Sequence, residues 1–128
     1  MNEEQQQLIF KLSMYEQQIQ QIQQQLQLVE NGVIELANLN FDLDELKGKK
    51  DKEIFAPIGK GIFVKAKLLS EDLIVDIGNR NYVKKSVDET KKTIERQIVK
   101  LEEAKKQLRD ALVEIDKRVS EMMEKEEK

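Results

Sequence analysis

The feature that most constrains this chain is an apolar repeat of seven residues that runs through it twice, on either side of a short segment that breaks it. Before the break, Leu8, Leu12, Tyr15, Ile19, Ile22, Leu26, Val29, Val33 and Leu36 follow a four-three spacing without a miss. After it, Ile94, Ile98, Leu101, Leu108, Leu112, Ile115, Val119 and Met122 keep the same spacing, with Lys105 in one seam position. An α-helix turns once in about 3.6 residues, so each series lines one helix face and needs a second helix to cover it. Two long helices in a coiled coil are predicted. A lysine at such a seam position costs stability and fixes register.

The first helix has a start signal at the chain's beginning. Asn2 followed by Gln5 matches a capping box, and Glu3 and Glu4 sit favourably on the positive end of the helix dipole. Asn31-Gly32 is a strong hairpin dipeptide, but Val29, Val33 and Leu36 keep phase across it, so the helix is expected to continue at a glycine penalty of ~1 kcal/mol. Beyond Leu36 the seam is expected to falter, because Asn40 takes a seam position and Leu39 and Leu46 drift to a neighbouring face. Lys47-Gly48 reads as a last-turn cation and a terminating glycine.

The stretch from Ile54 to Lys84 has a different grammar. It holds the only proline and three of the five glycines. Ile54 to Ile58 is a short strand that Pro57 confines to an edge or a strand start. Ile62 to Leu68 alternates in a period of two, Leu73 to Ile77 makes a third strand and Tyr82 to Lys84 a fourth, with turns at Gly59-Lys60-Gly61 and Gly78-Asn79-Arg80-Asn81. Gly59-Lys60-Gly61 lacks the earlier glycine, the following Ser/Thr and the helix of a phosphate loop, which leaves a hairpin or bulge. Two isolated hairpins are marginal in water and leave open edges, so other subunits are expected to complete the sheet.

Ser86-Val87-Asp88-Glu89 restarts the helix with a second capping box. Glu102 with Lys106, Glu114 with Arg118 and Glu121 with Lys125 are spaced for ion pairs on its outer face. One compact module joins the two arms, so they are expected to pair antiparallel within the chain. That places Leu8 and Leu12 near Val119 and Met122 at a distal tip.

Composition agrees with a thin coiled coil rather than a thick core: 37% of the 128 residues are charged and 5% aromatic. The formal net charge of −3 argues against a nucleic-acid partner. With no cysteine and no histidine, thiol and imidazole chemistry and the usual zinc or iron ligands are excluded. Glu71 and Asp72 lie in a turn without a partner base, so no catalytic site, no metal and no cofactor is expected. No leader-like segment opens the chain and no run approaches ~18 apolar residues, from which a cytoplasmic protein with no membrane partner is expected.

Helix, two hairpins and helix, with Ala56-Pro57-Ile58-Gly59-x-Gly61-x-Phe63-Val64-Lys65-Ala66 opening the hairpins and Ile74-Val75-x-Ile77-Gly78 closing the third strand, resembles the α class of prefoldin. The resemblance is specific between Pro57 and Lys85 and architectural in the arms; Asn79-Arg80-Asn81 departs from it. It implies an α+β fold: a long antiparallel coiled coil with hairpins that assemble into an oligomeric β-barrel platform. The whole chain, 1–128, would be a single prefoldin-type domain, with helix 2–47, hairpins 53–85 and helix 86–126. It further implies an ATP-independent chaperone subunit, not an enzyme. Such a subunit pairs with a second copy of itself and with β-class subunits in a hetero-hexamer, holds non-native polypeptides at its tips and passes them to a group II chaperonin.

On the heptad frame Ile9, Phe10, Met14 and Met123 fall outside the seam near the tip, so they are the candidate client contacts; methionine suits promiscuous surfaces. Leu28, Ile34, Val99 and Val113 also fall on outer positions but are scattered, as single exposed apolar residues commonly are. Tyr15 is read as a seam residue. Ile62, Phe63, Val64, Leu73, Val75 and Ile77 are the candidate assembly residues. A competing reading is a filament-forming or scaffolding coiled-coil protein without client transfer, since an unclosed sheet contact propagates indefinitely.

Overall fold

A computed structural model describes residues 2–127. Met1 and Lys128, the ends of the predicted domain, lie outside the described residues. Two long antiparallel helices carry two β-hairpins between them in the sequence: α1 is Glu3–Leu43 and α2 is Val87–Glu127. Both start as their side chains dictate. Gln5 N–H donates to Asn2 Oδ1 at 2.8 Å and Asn2 N–H donates back to Gln5 Oε1 at 3.4 Å, which closes the capping box. At α2, Glu89 N–H donates to Ser86 Oγ at 3.1 Å and the Thr90 hydroxyl donates to the Ser86 carbonyl at 2.9 Å. Ser86 is therefore the cap and not the first helical residue.

Contacts cluster into two units, Met1–Ile34 with Val99–Lys128 and Glu35–Ile98. In the first, every seam residue from Leu8 to Val33 is half-buried while most positions between them are exposed. Ile115 is the best covered residue of this unit. Helix α1 passes through Asn31-Gly32 unbroken, and a Cβ added to Gly32 would lie 3.4 Å from Leu101 Cδ1. Lys105, in the seam of α2, is half-buried, and its Nζ lies 3.9 Å from Glu30 Oε1, which Arg109 Nη2 approaches at the same distance. Of the three ion pairs expected along α2, Glu114 with Arg118 is made, at 3.3 Å.

In the second unit the core is Leu43, Val87 and Ile94, with Leu36, Leu46, Leu73 and Ile98 packed against it. The seam does not falter as expected. It continues in step through half-buried Asn40 to Leu43, one of the few buried residues in the chain. Asn40 keeps its place although its Oδ1 is buried without a hydrogen-bond partner. The α-helix also ends earlier than the predicted residue 47. It gives way at Leu43 to a 3₁₀ turn, Asp44–Leu46, and Lys47 is extended. The tighter winding brings Leu46 onto the core, while Lys47 pairs with Asp88 at 2.8 Å instead of capping the helix.

β1, Glu53–Gly59, pairs antiparallel with β2, Ile62–Lys67. β3, Leu73–Asp76, pairs antiparallel with β4, Tyr82–Lys85. These are two separate two-stranded sheets. The register of the first slips between Pro57 and Gly59, where Lys60 and Gly61 both take positive φ, as a tight two-residue hairpin turn requires. In the second, Asn79 and Arg80 take positive φ and Asn81 N–H donates to the Gly78 carbonyl at 2.9 Å.

Candidate functional site

Helical periodicity leaves Ile9, Phe10, Met14 and Met123 off the seam, and all four are exposed, at 51, 66, 46 and 48%. Phe10 and Met14 line an open cleft of about 610 Å³ between the helices of the first unit, with Tyr15 and Met122. Ile9 and Met123 are outside that cleft. Its polar wall comes from Lys11 and Gln18 on α1 and from Arg118, Glu121 and Lys125 on α2. The Tyr15 hydroxyl and then the Glu114 carboxylate hold Arg118 above its ordinary value, so the guanidinium stays charged.

Met122 is a seam residue that also opens onto the cleft, a double role that heptad position alone hides. Lys11, Arg118 and Lys125 become cleft residues only because the two helices run side by side, and nothing local in the sequence marks them. The scattered outer residues Leu28, Ile34, Val99 and Val113 are exposed and line none of these walls.

The candidate assembly residues divide. Ile62, Phe63, Val64 and Ile77 are exposed, between 45 and 60%. Leu73 packs on the chain's own core, and half-buried Val75 faces Val83 across the second hairpin and lines an open cleft of about 410 Å³ with Leu36, Leu43 and Ile94. Exposed apolar residues on the hairpins also include Phe55, Ile58, Ile74 and Tyr82. Their signal was strand alternation: Phe55 lies opposite Lys65, and Ile74 opposite Lys84.

Ion pairs fasten the chain around the hairpins. Lys91 Nζ donates to Asp44 Oδ1 at 2.6 Å, Lys47 bridges Asp88 and Asp44, and Gly48 N–H donates to the Glu71 carboxylate. Hydrogen bonding to Lys91 holds Asp44 below the usual carboxylate range, and Lys47 does the same to Asp88. Among the described residues no cluster of metal-ligating side chains occurs, and no helix is long and apolar enough to cross a membrane.

Two antiparallel helices with two hairpins between them, both hairpins bearing exposed apolar residues, define a protein of the helical-hairpin coiled-coil class. The prefoldin subunit family matches residues 15–128, and the chain belongs to that family, which is one of non-enzymatic chaperones. Within it the chain stands with the alpha subunits. It is 42% identical over 99 residues to prefoldin subunit alpha of Methanobrevibacter smithii, covering 77% of this chain and 68% of that one. It is 33% identical to the alpha subunit of Methanococcus aeolicus and 30% identical to that of Pyrococcus horikoshii, covering 98 and 97% of this chain and 86% of each relative. In fold it matches a chain of a filamentous PFD from Methanocaldococcus jannaschii solved by cryo-electron microscopy, with a TM-score of 0.78 at 21% identity, covering 89% of this chain and 96% of that one. Membership implies a chaperone role in a complex with other prefoldin subunits.

Proposed function

We propose that this chain is the α subunit of an ATP-independent cytoplasmic chaperone that holds non-native polypeptides through Ile9, Phe10, Met14 and Met123. Phe10 and Met14 carry the reading: two large apolar side chains stand exposed around an open cleft although the seam beside them is satisfied without them. A client segment laid there gains ~25 cal/mol per Å² of apolar surface covered, and several arms gripping one client multiply modest gains into avidity. Such holding needs no nucleotide, cofactor or reacting group. Handover to a group II chaperonin follows from the family resemblance, as does assembly with a second copy and β-class subunits into a hexamer. The exposed faces of both hairpins suit that assembly.

The test replaces all four residues with Ser. Melting temperature and assembly size should change little, while suppression of aggregation of a denatured test protein should fall severalfold. Undiminished protection by that variant, assembled with wild-type partners, rejects these residues as the holding surface. A filament is the second reading, favoured by the open outer edges of both two-stranded sheets. Light scattering of the chain alone and with a β-class subunit separates the two: a closed complex of fixed mass supports the hexamer, and mass growing with concentration supports the filament.

A further inference from the structure

We propose that the free edge of β2 docks an acidic strand of a partner subunit. The proposal rests on the reading of the hairpins as assembly surfaces and adds the chemistry that selects what they accept. Between Lys47 and Lys85 the chain carries ten Lys and Arg against five Asp and Glu, whereas the whole chain carries 22 against 25. The hairpin segment is therefore basic and the arms acidic. Lys60, Lys65 and Lys67 have no carboxylate within ion-pair distance among the described residues. The charges of Lys60 and Lys65 are left for something outside the chain, while Lys67 has Glu53 opposite it across the hairpin, beyond ion-pair distance.

The two edges of the first hairpin are not equivalent. Pro57 sits within β1 and has no N–H to give, which blunts that edge. β2 pairs with β1 alone, so its other side presents unpaired N–H and C=O groups. On the exposed face of this hairpin Lys65 lies opposite Phe55, Phe63 opposite Pro57 and Lys67 opposite Glu53. A strand arriving at the β2 edge would therefore meet the Phe63 ring followed by the two ammonium groups of Lys65 and Lys67, with Phe55 behind Lys65 on β1.

Cross-strand neighbours of opposite charge attract and like charges repel. Edge lysines commonly serve to keep other strands away. An incoming strand with carboxylates at alternate positions turns that guard into a selector, because the same lysines that repel a basic strand attract an acidic one. Exposed Phe and Lys on a strand would also suit single-stranded nucleic acid. The free backbone edge favours a strand, since a polypeptide satisfies N–H and C=O groups that a nucleic acid leaves unpaired.

The test uses the full chain and three labelled peptides in which valine alternates with glutamate, threonine or lysine, read by fluorescence anisotropy. At low salt the glutamate peptide should bind about three- to tenfold more tightly than the threonine peptide, and the lysine peptide more weakly than either. The gap should close by about 0.5 M salt. Lys65→Glu with Lys67→Glu should reverse the order, and Lys65→Gln with Lys67→Gln should abolish it. Equal affinity for the three peptides overturns the proposal. So does refusal of all three, which would leave the lysines as guards, and so does tighter binding of oligothymidylate than of the glutamate peptide. Assembly is scored separately by light scattering with a β-class subunit. A complex formed without any peptide preference overturns charge selection alone, and the absence of any complex overturns the assembly reading beneath it.

Discussion

The two hairpins have similar sequences and unlike situations. β3 and β4 turn Leu73 onto the core of Leu43, Val87 and Ile94, and β4 leads through Ser86 straight into α2. β1 and β2 place no residue in that core. Phe55, Ile58, Ile62, Phe63 and Val64 all stand open, and the turn between the strands is held by a glycine at positive φ. One hairpin is thus anchored within the chain and the other presented by it. Apolar content does not separate an element that stabilises a fold from one that awaits a partner; coverage does.

Truncating one residue on each hairpin gives the sharpest contrast. Leu73→Ala removes packing from the second unit's core and should cost about 2–3 kcal/mol in urea unfolding. Phe63→Ala, with its ring already open to water, should leave the dissociated chain within about 0.5 kcal/mol of wild type while weakening assembly in light scattering. Equal losses from the two would erase the distinction.

The turns offer a smaller effect of opposite signs. Gly61 has φ +78° and open space, with no atom within 4 Å of where an alanine methyl would stand, so Gly61→Ala should cost about 1–2 kcal/mol from backbone strain alone. Arg80 already bears that strain at φ +62°. Arg80→Gly should raise stability by up to about 1 kcal/mol, measured by thermal melting, the relief being partly offset by glycine's freedom in the unfolded chain.

The smallest effect is electrostatic. Asp44 and Asp88 are held below their ordinary values by Lys91 and Lys47, so what they contribute is complete above the unfolded carboxylate value of about 4 and is lost as pH falls below it. Lys47 is raised, chiefly by Asp88, so its share persists at neutral pH and is lost only in strong alkali. Between pH 6 and pH 3 the melting temperature of the wild type should fall by slightly more than that of Asp44→Asn with Asp88→Asn. The same fall in both would remove these pairs from the anchoring of the second unit.

Much of the fold was legible because heptad spacing is a local signal. All of Leu8 to Leu36 and Ile94 to Met122 lie where their spacing put them. Leu43 was missed because Asn40 interrupts the apolar series and Leu39 offers a competing face. Burial cannot be read from alternation either: period two separates Leu73 and Val75 from Ile74, but which side the helices cover is a tertiary fact. Phe10 and Met14 were legible as off-seam residues. Lys11, Arg118 and Lys125 were not, since the wall they form spans two helices far apart in sequence.

The ladder of Lys105, Arg109 and Glu30 has a consequence for how the helices find each other. A repeat of seven looks the same after sliding by seven, so an antiparallel pair of such helices can mispair one heptad out with most apolar seam residues still facing apolar ones. Shifted either way, Lys105 would meet Gln23 or Ala37 in place of Glu30. A half-buried ammonium would then face a neutral amide or a methyl group. This one rung works as the index mark of a vernier, recognising the true alignment among others that hydrophobic contact alone would score as nearly equal.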